Sequence, residues 1–203
     1  GPAPGNRGRK RQPIRIANYL SSPDNLVTIP SKEPQPVPPE SNPHNAELTP
    51  AQAAAIHTAA SHTVASHVTG QPRTWPDMSL QGTADWTVMG AFVTLKRTGQ
   101  LRACCGVLGR PMKLSDALLG AAKRTASEDS RFPTISPVEL PYMDLEVSLL
   151  YDFQPVQEQG RNRIGAVEIS RHGLVIQRGE QSGLLLPVVA VEHGLDAKGF
   201  LRQ

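Results

Sequence analysis

Apolar and polar positions alternate most clearly in two adjoining stretches. Phe92-Val93-Thr94-Leu95-Lys96 leads through Arg97-Thr98-Gly99-Gln100, a glycine-containing connection of hairpin length, into Leu101 to Leu108. That pattern predicts two antiparallel strands. Side chains alternate across a strand, so Leu101, Ala103, Cys105 and Val107 are expected on one face and Arg102, Cys104 and Gly106 on the other. The first face reads as core and the second as a site.

Helical spacing appears on both sides of this hairpin. Thr49-Pro50-Ala51-Gln52 combines an N-cap threonine, a proline at the first helical position and a glutamine placed to close a capping box. Ile56, Ala60, Val64 and Val68 follow at spacing four, and Gly70 supplies the stop. After Arg110-Pro111, expected to break the strand, Ser115-Asp116 starts a second helix with Leu118, Ala121, Ala122 and Thr125 on its inner face. Leu145-Glu146-Val147-Ser148-Leu149 alternates as a half-buried strand. Ala166 to Ile169 and Leu174 to Ile176 read as strands around Arg171-His172-Gly173, Leu184 to Leu186 continues the sheet, and Pro187 and Gly194 bracket a short helix. Helices flanking antiparallel strands argue for an α+β fold rather than a doubly wound sheet.

Residues 1–45 differ in kind. They carry ten of the nineteen prolines and no sustained period, which predicts a Pro-rich basic arm with polyproline II near Pro34 to Pro39. Ile14 to Leu20 and Leu26 to Ile29 are short apolar pieces able to dock on the body. The predicted organisation is arm 1–45 and folded domain 46–203. No apolar run approaches the ~20 residues of a membrane helix, and two cysteines suit a reducing cytoplasm rather than a disulfide framework.

Charge narrows the partners. From Ala46 onward the chain holds fifteen Lys plus Arg and fifteen Asp plus Glu, so the basicity belongs to the arm and nucleic-acid binding ranks last. Lys96, Arg97, Arg102, Arg110 and Lys113 occur with no acid between Asp85 and Asp116. They are read either as a solvated edge or as a pocket for a small anionic ligand. His57, His62 and His67 are spaced by five, about 140° apart per step on a helix, so they cannot converge on a metal; they are read as solvated or capping. The sequence has no phosphate loop, dinucleotide fingerprint, paired-cysteine zinc pattern or nucleophile elbow, so no cofactor and no metal are expected.

Cys104 is then the main reactive candidate. Arg102, two residues away on the same predicted face, would favour its thiolate, and Gly106 would leave room for a ligand or another backbone. The competing reading is an inert buried thiol. Cys105 reads as a small core hydrophobe.

At these residues the chain resembles the AMMECR1 domain family, whose signature Leu-Arg-Gly-Cys-Ile-Gly corresponds to Leu101-Arg102-Ala103-Cys104-Cys105-Gly106. Gly90 to Leu95, Asp129-Ser130-Arg131-Phe132-Pro133, Leu145 to Ser148, Arg171-His172-Gly173-Leu174, Leu185-Leu186-Pro187, Val189-Ala190 and His193-Gly194 match further family motifs in order. Ala103 replaces a glycine, and Val188 stands where the family usually has glutamate. The chain ends at Gln203, where similar proteins continue for another helix and strand. The resemblance is to the bacterial form and implies a two-lobed α+β domain with a mainly antiparallel sheet flanked by helices and a cleft near the signature, with Memo-like and radical SAM proteins as partners.

Three functions compete on these grounds. The first is a thiol-dependent enzyme or carrier, with Cys104 as nucleophile or group carrier and His172 as acid or base. Its ligand would be held by Arg102, Gly106, Lys96 and Arg131. The second is a non-catalytic adaptor for an anionic small molecule or a partner peptide, and the third is nucleic-acid binding through the arm.

Overall fold

A computed structural model describes residues 14–20, 48–72, 79–158, 160–178 and 181–203. In chain order the elements are β1 (Ile14–Leu20), α1 (Pro50–Thr69), β2 (Thr87–Arg97), β3 (Gln100–Lys113), α2 (Leu114–Ser127), β4 (Met143–Pro155), β5 (His172–Arg178), β6 (Gln181–Leu185), α3 (Pro187–Glu192) and α4 (Ala197–Phe200). Two 3₁₀ segments, Pro137–Tyr142 and Gly160–Ala166, join them. Helices with an antiparallel sheet make the fold α+β, as the sequence predicts. The expectations for Leu26 to Ile29 and for Pro34 to Pro39 lie outside the described residues.

The described residues gather into two compact units, 18–152 and a second made of residues up to Ala17 with Phe153–Gln203. In the first, β2 lies between β3 and β4 and pairs antiparallel with both. The β2–β3 turn is a two-residue hairpin. Thr98 and Gly99 have φ of 50° and 75°, and Arg97 pairs with Gln100, the geometry whose twist matches the flanking strands.

α1 forms where its capping chemistry places it, whereas α2 begins at Leu114, after Lys113, with no side-chain cap from Ser115 or Asp116. Thr49 accepts the Gln52 N–H while the Gln52 side chain accepts the Thr49 N–H, and Gly70 closes α1 in the left-handed region. Ile56, Ala60 and Val64 of α1 and Leu118, Ala121, Ala122 and Thr125 of α2 are buried. The apolar ones pack with Ala91, Val93, Leu95, Ala103, Val147 and Leu149 in one core. Val167, Leu174, Ala190 and Phe200 form a separate, smaller core in the second unit.

Four expectations are corrected. β3 runs on through Pro111 to Lys113; Pro111 is tolerated because β3 has β2 as its only neighbour within β3-β2-β4. Ala166 to Ile169 are not a strand but the end of a 3₁₀ segment and a turn, closed by Arg171 and His172 N–H groups donating to the Glu168 carbonyl. Leu101 is 43% exposed rather than core. His57 is not solvated: its Nε2 lies 3.0 Å from the Leu145 carbonyl.

The most consequential departure is a bulge. β4 pairs with β2 in unbroken register from Gly90↔Leu150 to Arg97↔Met143, so the irregularity between Leu95 and Lys96 in the β2–β3 ladder falls on β3. There Leu95 faces Ala103 and Lys96 faces Leu101. Arg102 is the extra residue, and such a residue is aimed away from the strict alternation of its neighbours.

Gly106 is fixed by contact rather than by backbone angle. A Cβ there would stand 2.4 Å from the Phe92 ring and 2.5 Å from the Ala91 carbonyl oxygen. Gly106→Ala is expected to destabilise by about 1–3 kcal/mol. Gly183→Ala, where an added Cβ meets nothing within 4 Å, should stay within about 0.5 kcal/mol. Denaturant midpoints of the two variants check this, and equal losses would contradict it.

Candidate functional site

The outward peptide groups of β3 at Cys104 have no strand neighbour within β3-β2-β4, and the turn after α2 supplies their partners. The Cys104 N–H donates to Asp129 Oδ2 at 2.8 Å, and Arg131 Nη2 donates to the Cys104 carbonyl at 2.9 Å. Arg131 also grips Asp129 through Nε at 2.8 Å and Nη2 at 2.7 Å. Asp129 is nearly fully buried. Its Arg131 hydrogen bonds, with smaller help from the Cys104 and Arg131 N–H groups, hold its carboxyl down at about 2. Two residues on from Cys104, Arg124 Nη1 donates to the Gly106 carbonyl at 2.8 Å.

The inward side of β3 is tied to α2 by a single hydroxyl. Thr125 Oγ1 accepts the Cys105 N–H at 3.0 Å and donates to the Val93 carbonyl at 2.8 Å. Val93 and Cys105 are register partners. A helix hydroxyl therefore stands between two paired strand residues.

With its peptide groups turned outward, Cys104 forms a non-hydrogen-bonded pair with Thr94, the kind in which side chains come closest. Thr94 Oγ1 donates to Cys104 Sγ at 3.2 Å. Thr94 also faces Glu146 on β4, so Cys104, Thr94 and Glu146 make one row across three strands. Lys96 Nζ pairs with Glu146 Oε1 at 2.7 Å. Cys104 is half-buried and free, with the Thr94 hydroxyl against its sulfur.

The predicted guanidinium partner of Cys104 is replaced. Bulged Arg102 pairs with Glu139 through Nε at 3.0 Å and Nη2 at 3.1 Å, and Nη2 lies 3.4 Å from the Thr134 carbonyl. The guanidinium whose charge favours the Cys104 thiolate is that of Arg131. Burial is the larger influence, and with Asp129 and Glu146 opposing as well the Cys104 thiol is raised above its usual value. Cys105 is raised too, first by burial and then by Asp129. The expected thiolate is thus a neutral thiol.

Other expectations change with the same geometry. The space beside Gly106 is taken by the Phe92 ring. Lys96, Arg102 and Arg131 each hold a carboxylate, Glu146, Glu139 and Asp129, and Lys113 holds Asp85 at 2.6 Å. Within the acid-free run, Lys96, Arg102 and Lys113 each pair with an acid from outside it. A hollow of about 180 Å³ is lined by Arg102, Ala103, the end of α2 from Thr125, and the following turn through Asp129, Phe132 and Ile135. His172 belongs to the second unit. Its Nδ1 accepts the Glu168 N–H at 3.0 Å, and burial, then Arg171, lowers its pKa, keeping it neutral.

Thr94, Thr125, Asp129, Glu139 and Glu146 are site residues that the reading of sequence spacing passes over. Asp129 and Glu146 stand inside motifs that carry the family resemblance. Thr94 is obscured because an unbulged hairpin would set it opposite Ala103.

An α+β domain with a cysteine strand clamped by an Asp-x-Arg turn is the class of protein these observations define. The AMMECR1 family profile matches residues 52–203, and the chain belongs to that family. Similar proteins include one from Methanothermobacter thermautotrophicus, 42% identical over 113 residues that cover 55% of this chain and 59% of the relative. Protein TK0174 of Thermococcus kodakarensis is 40% identical over 58% of this chain and 60% of its own. The chain matches about 60% of these archaeal relatives' length. The crystal structure of the uncharacterized protein PH0010 from Pyrococcus horikoshii is similar as well, with 32% identity and a TM-score of 0.57 over 72% of this chain and 74% of that one.

Two predictions follow from the clamps. Thr125→Val removes the hydroxyl shared by the Cys105 N–H and the Val93 carbonyl and should cost about 1–3 kcal/mol, while Thr125→Ser retains most of the stability; denaturant titration of both decides it. Asp129 and Glu139 are each held at about 2 when folded, below the ~3.9 and ~4.3 of unfolded carboxyls. Their stabilisation is therefore complete above about pH 5 and lost as pH falls toward 2. The melting temperature should drop below about pH 4, with a shallower drop in Asp129→Asn/Glu139→Gln. An equally steep drop in that variant would contradict the assignment.

Proposed function

We propose that this chain is a thiol-dependent module of the AMMECR1 type, in which Cys104 receives or carries a group as a neutral thiol. The observation that carries the reading is the Thr94 hydroxyl 3.2 Å from Cys104 Sγ, in a row that also contains Glu146. An inert core thiol would lie among apolar side chains; this one has a hydroxyl, two carboxylates and a guanidinium acting on it. His172 has no part in the chemistry proposed, because its Nδ1 is occupied within its own turn.

The bacterial and cytoplasmic setting, the domain boundary at residues 45 and 46, and the Memo-like and radical SAM partners belong to this proposal and rest on the resemblance and composition. Among the described residues no helix is long and apolar enough to cross a membrane.

A second reading has its own support. Val138 is 75% and Tyr142 67% exposed on the 3₁₀ segment anchored by Arg102–Glu139, and the committed cations argue against strong anion capture. A partner peptide docking there would make the chain an adaptor.

Alkylation separates the two. Iodoacetamide should label Cys104 slowly at pH 7 and with a midpoint above the ~8.5 of a free thiol, located by fragment-ion mass spectrometry. Cys104→Ser should abolish function in a complementation assay under the thiol reading and leave it intact under the adaptor reading. A Cys104 that stays unlabelled up to pH 10 in the folded chain contradicts the thiol reading outright.

A further inference from the structure

The hollow beside Arg102 has a volume of about 180 Å³, larger than a cavity of about 150 Å³ that takes benzene, so a ligand of about six non-hydrogen atoms fits it. Ala103, Ala126, Phe132 and Ile135 give it an apolar wall, and Arg102, Glu128 and Asp129 are its charged groups. Arg102 is matched by Glu139, Glu128 by Arg124 and Asp129 by Arg131. None of these charges calls for an ionic ligand. What the wall does offer is one hydrogen-bond donor without an acceptor. Arg102 gives Nε and Nη2 to Glu139, whereas its Nη1 is buried with no hydrogen-bond partner, a state that folded proteins seldom leave uncompensated. Nη2 reaches the Thr134 carbonyl only at 3.4 Å, beyond the roughly 2.7–3.2 Å of an ordinary N–H···O bond. Thr134, exposed, also lines the hollow.

We propose that this hollow binds a small neutral carboxamide with a short aliphatic body. The long Arg102–Thr134 contact is the part that yields. As the Thr134 segment tilts outward, the ligand carbonyl accepts from Arg102 Nη1 and the ligand N–H donates to the Thr134 carbonyl. One group gains the partner it lacks, and the other exchanges a loose partner for a close one. The aliphatic body rests on Ala126, Phe132 and Ile135. A carboxylate of the same shape has no N–H for the Thr134 carbonyl and adds a negative charge beside Glu128 and Asp129, which disfavours it. The site is separate from the Cys104 sulfur. Ala103 and Cys104 are adjacent in β3, where side chains alternate between faces, and the sulfur meets Thr94 on the face opposite the hollow. The proposal therefore stands apart from the thiol reading.

Isobutyramide and isobutyrate share one shape and differ in charge and in the N–H donor, which makes them the probes. In ¹H–¹⁵N spectra of the full chain, isobutyramide should shift the amides of Ala103 and of residues 125–135 saturably, with a dissociation constant of about 1–10 mM. Isobutyrate should bind at least about tenfold more weakly, the loss of one good hydrogen bond. Arg102→Lys keeps a cation for Glu139 but removes Nη1, and should weaken isobutyramide by a similar factor. Ala126→Leu fills the hollow from its apolar wall and should abolish the saturable shifts while the melting temperature holds or rises. No saturation at about 100 mM isobutyramide, well above the expected range, overturns the proposal. So does isobutyrate binding as tightly as the amide, or an affinity unchanged in Arg102→Lys. Should Arg102→Lys fail to fold, Ala126→Leu decides, and binding retained there overturns the proposal; should both fail, the ratio of the two probes in the intact chain decides alone.

Discussion

The signature strand depends on how the outer strand of β3-β2-β4 satisfies its peptide groups where no further strand of that set reaches them. A buried amide left unpaired costs about 1–3 kcal/mol, so the peptide groups around Cys104 must find partners or the strand frays. The C-terminal half of α2 and its following turn provide them. Thr125 reaches inward to the Cys105 N–H and the Val93 carbonyl, while Asp129 and Arg131 close on the N–H and carbonyl of Cys104. That α2 packs against β2 and β3 through Leu118, Ala121 and Ala122 is what brings these polar groups within reach.

The clamp also sets the electrostatics of the thiol. Arg131 must hold Asp129, and Asp129 must hold the strand, so neither is free to do what an isolated charge beside a cysteine would do. Their opposed effects on Cys104 leave burial as the dominant influence, and the sulfur keeps its proton. The same pairing recurs at Arg102–Glu139 and Lys96–Glu146. The charges nearest Cys104 are therefore held in ion pairs rather than standing as an excess of positive charge.

Much of this fold is legible from local chemistry. The capping box at Thr49 to Gln52, the Thr98-Gly99 turn and the apolar spacing of α1 and α2 each act within a few residues, and each element forms where its residues place it. The bulge at Arg102 is not legible in that way. It arises because Ala103 must face the helices and Arg102 must reach Glu139, 37 residues on. Strict alternation therefore assigns Arg102 to the wrong partner and Leu101 to the core. The acid-free run from Trp86 to Ser115 misleads for a similar reason: Glu139, Glu146 and Asp129 arrive from later segments, and local composition cannot report them. Ala166 to Ile169 are apolar enough for a strand, but the Glu168–His172 turn takes the backbone hydrogen bonds that a ladder would need.

Amide hydrogen exchange at Cys104 and Cys105 tests the clamp most directly. Their N–H groups should exchange nearly as slowly as that of Val93 in the central strand, because side chains of Asp129 and Thr125 occupy them. Exchange of either amide as fast as that of an exposed turn such as Gly82 would contradict the account, since the strand carrying Cys104 would then be open where its chemistry requires it to be held.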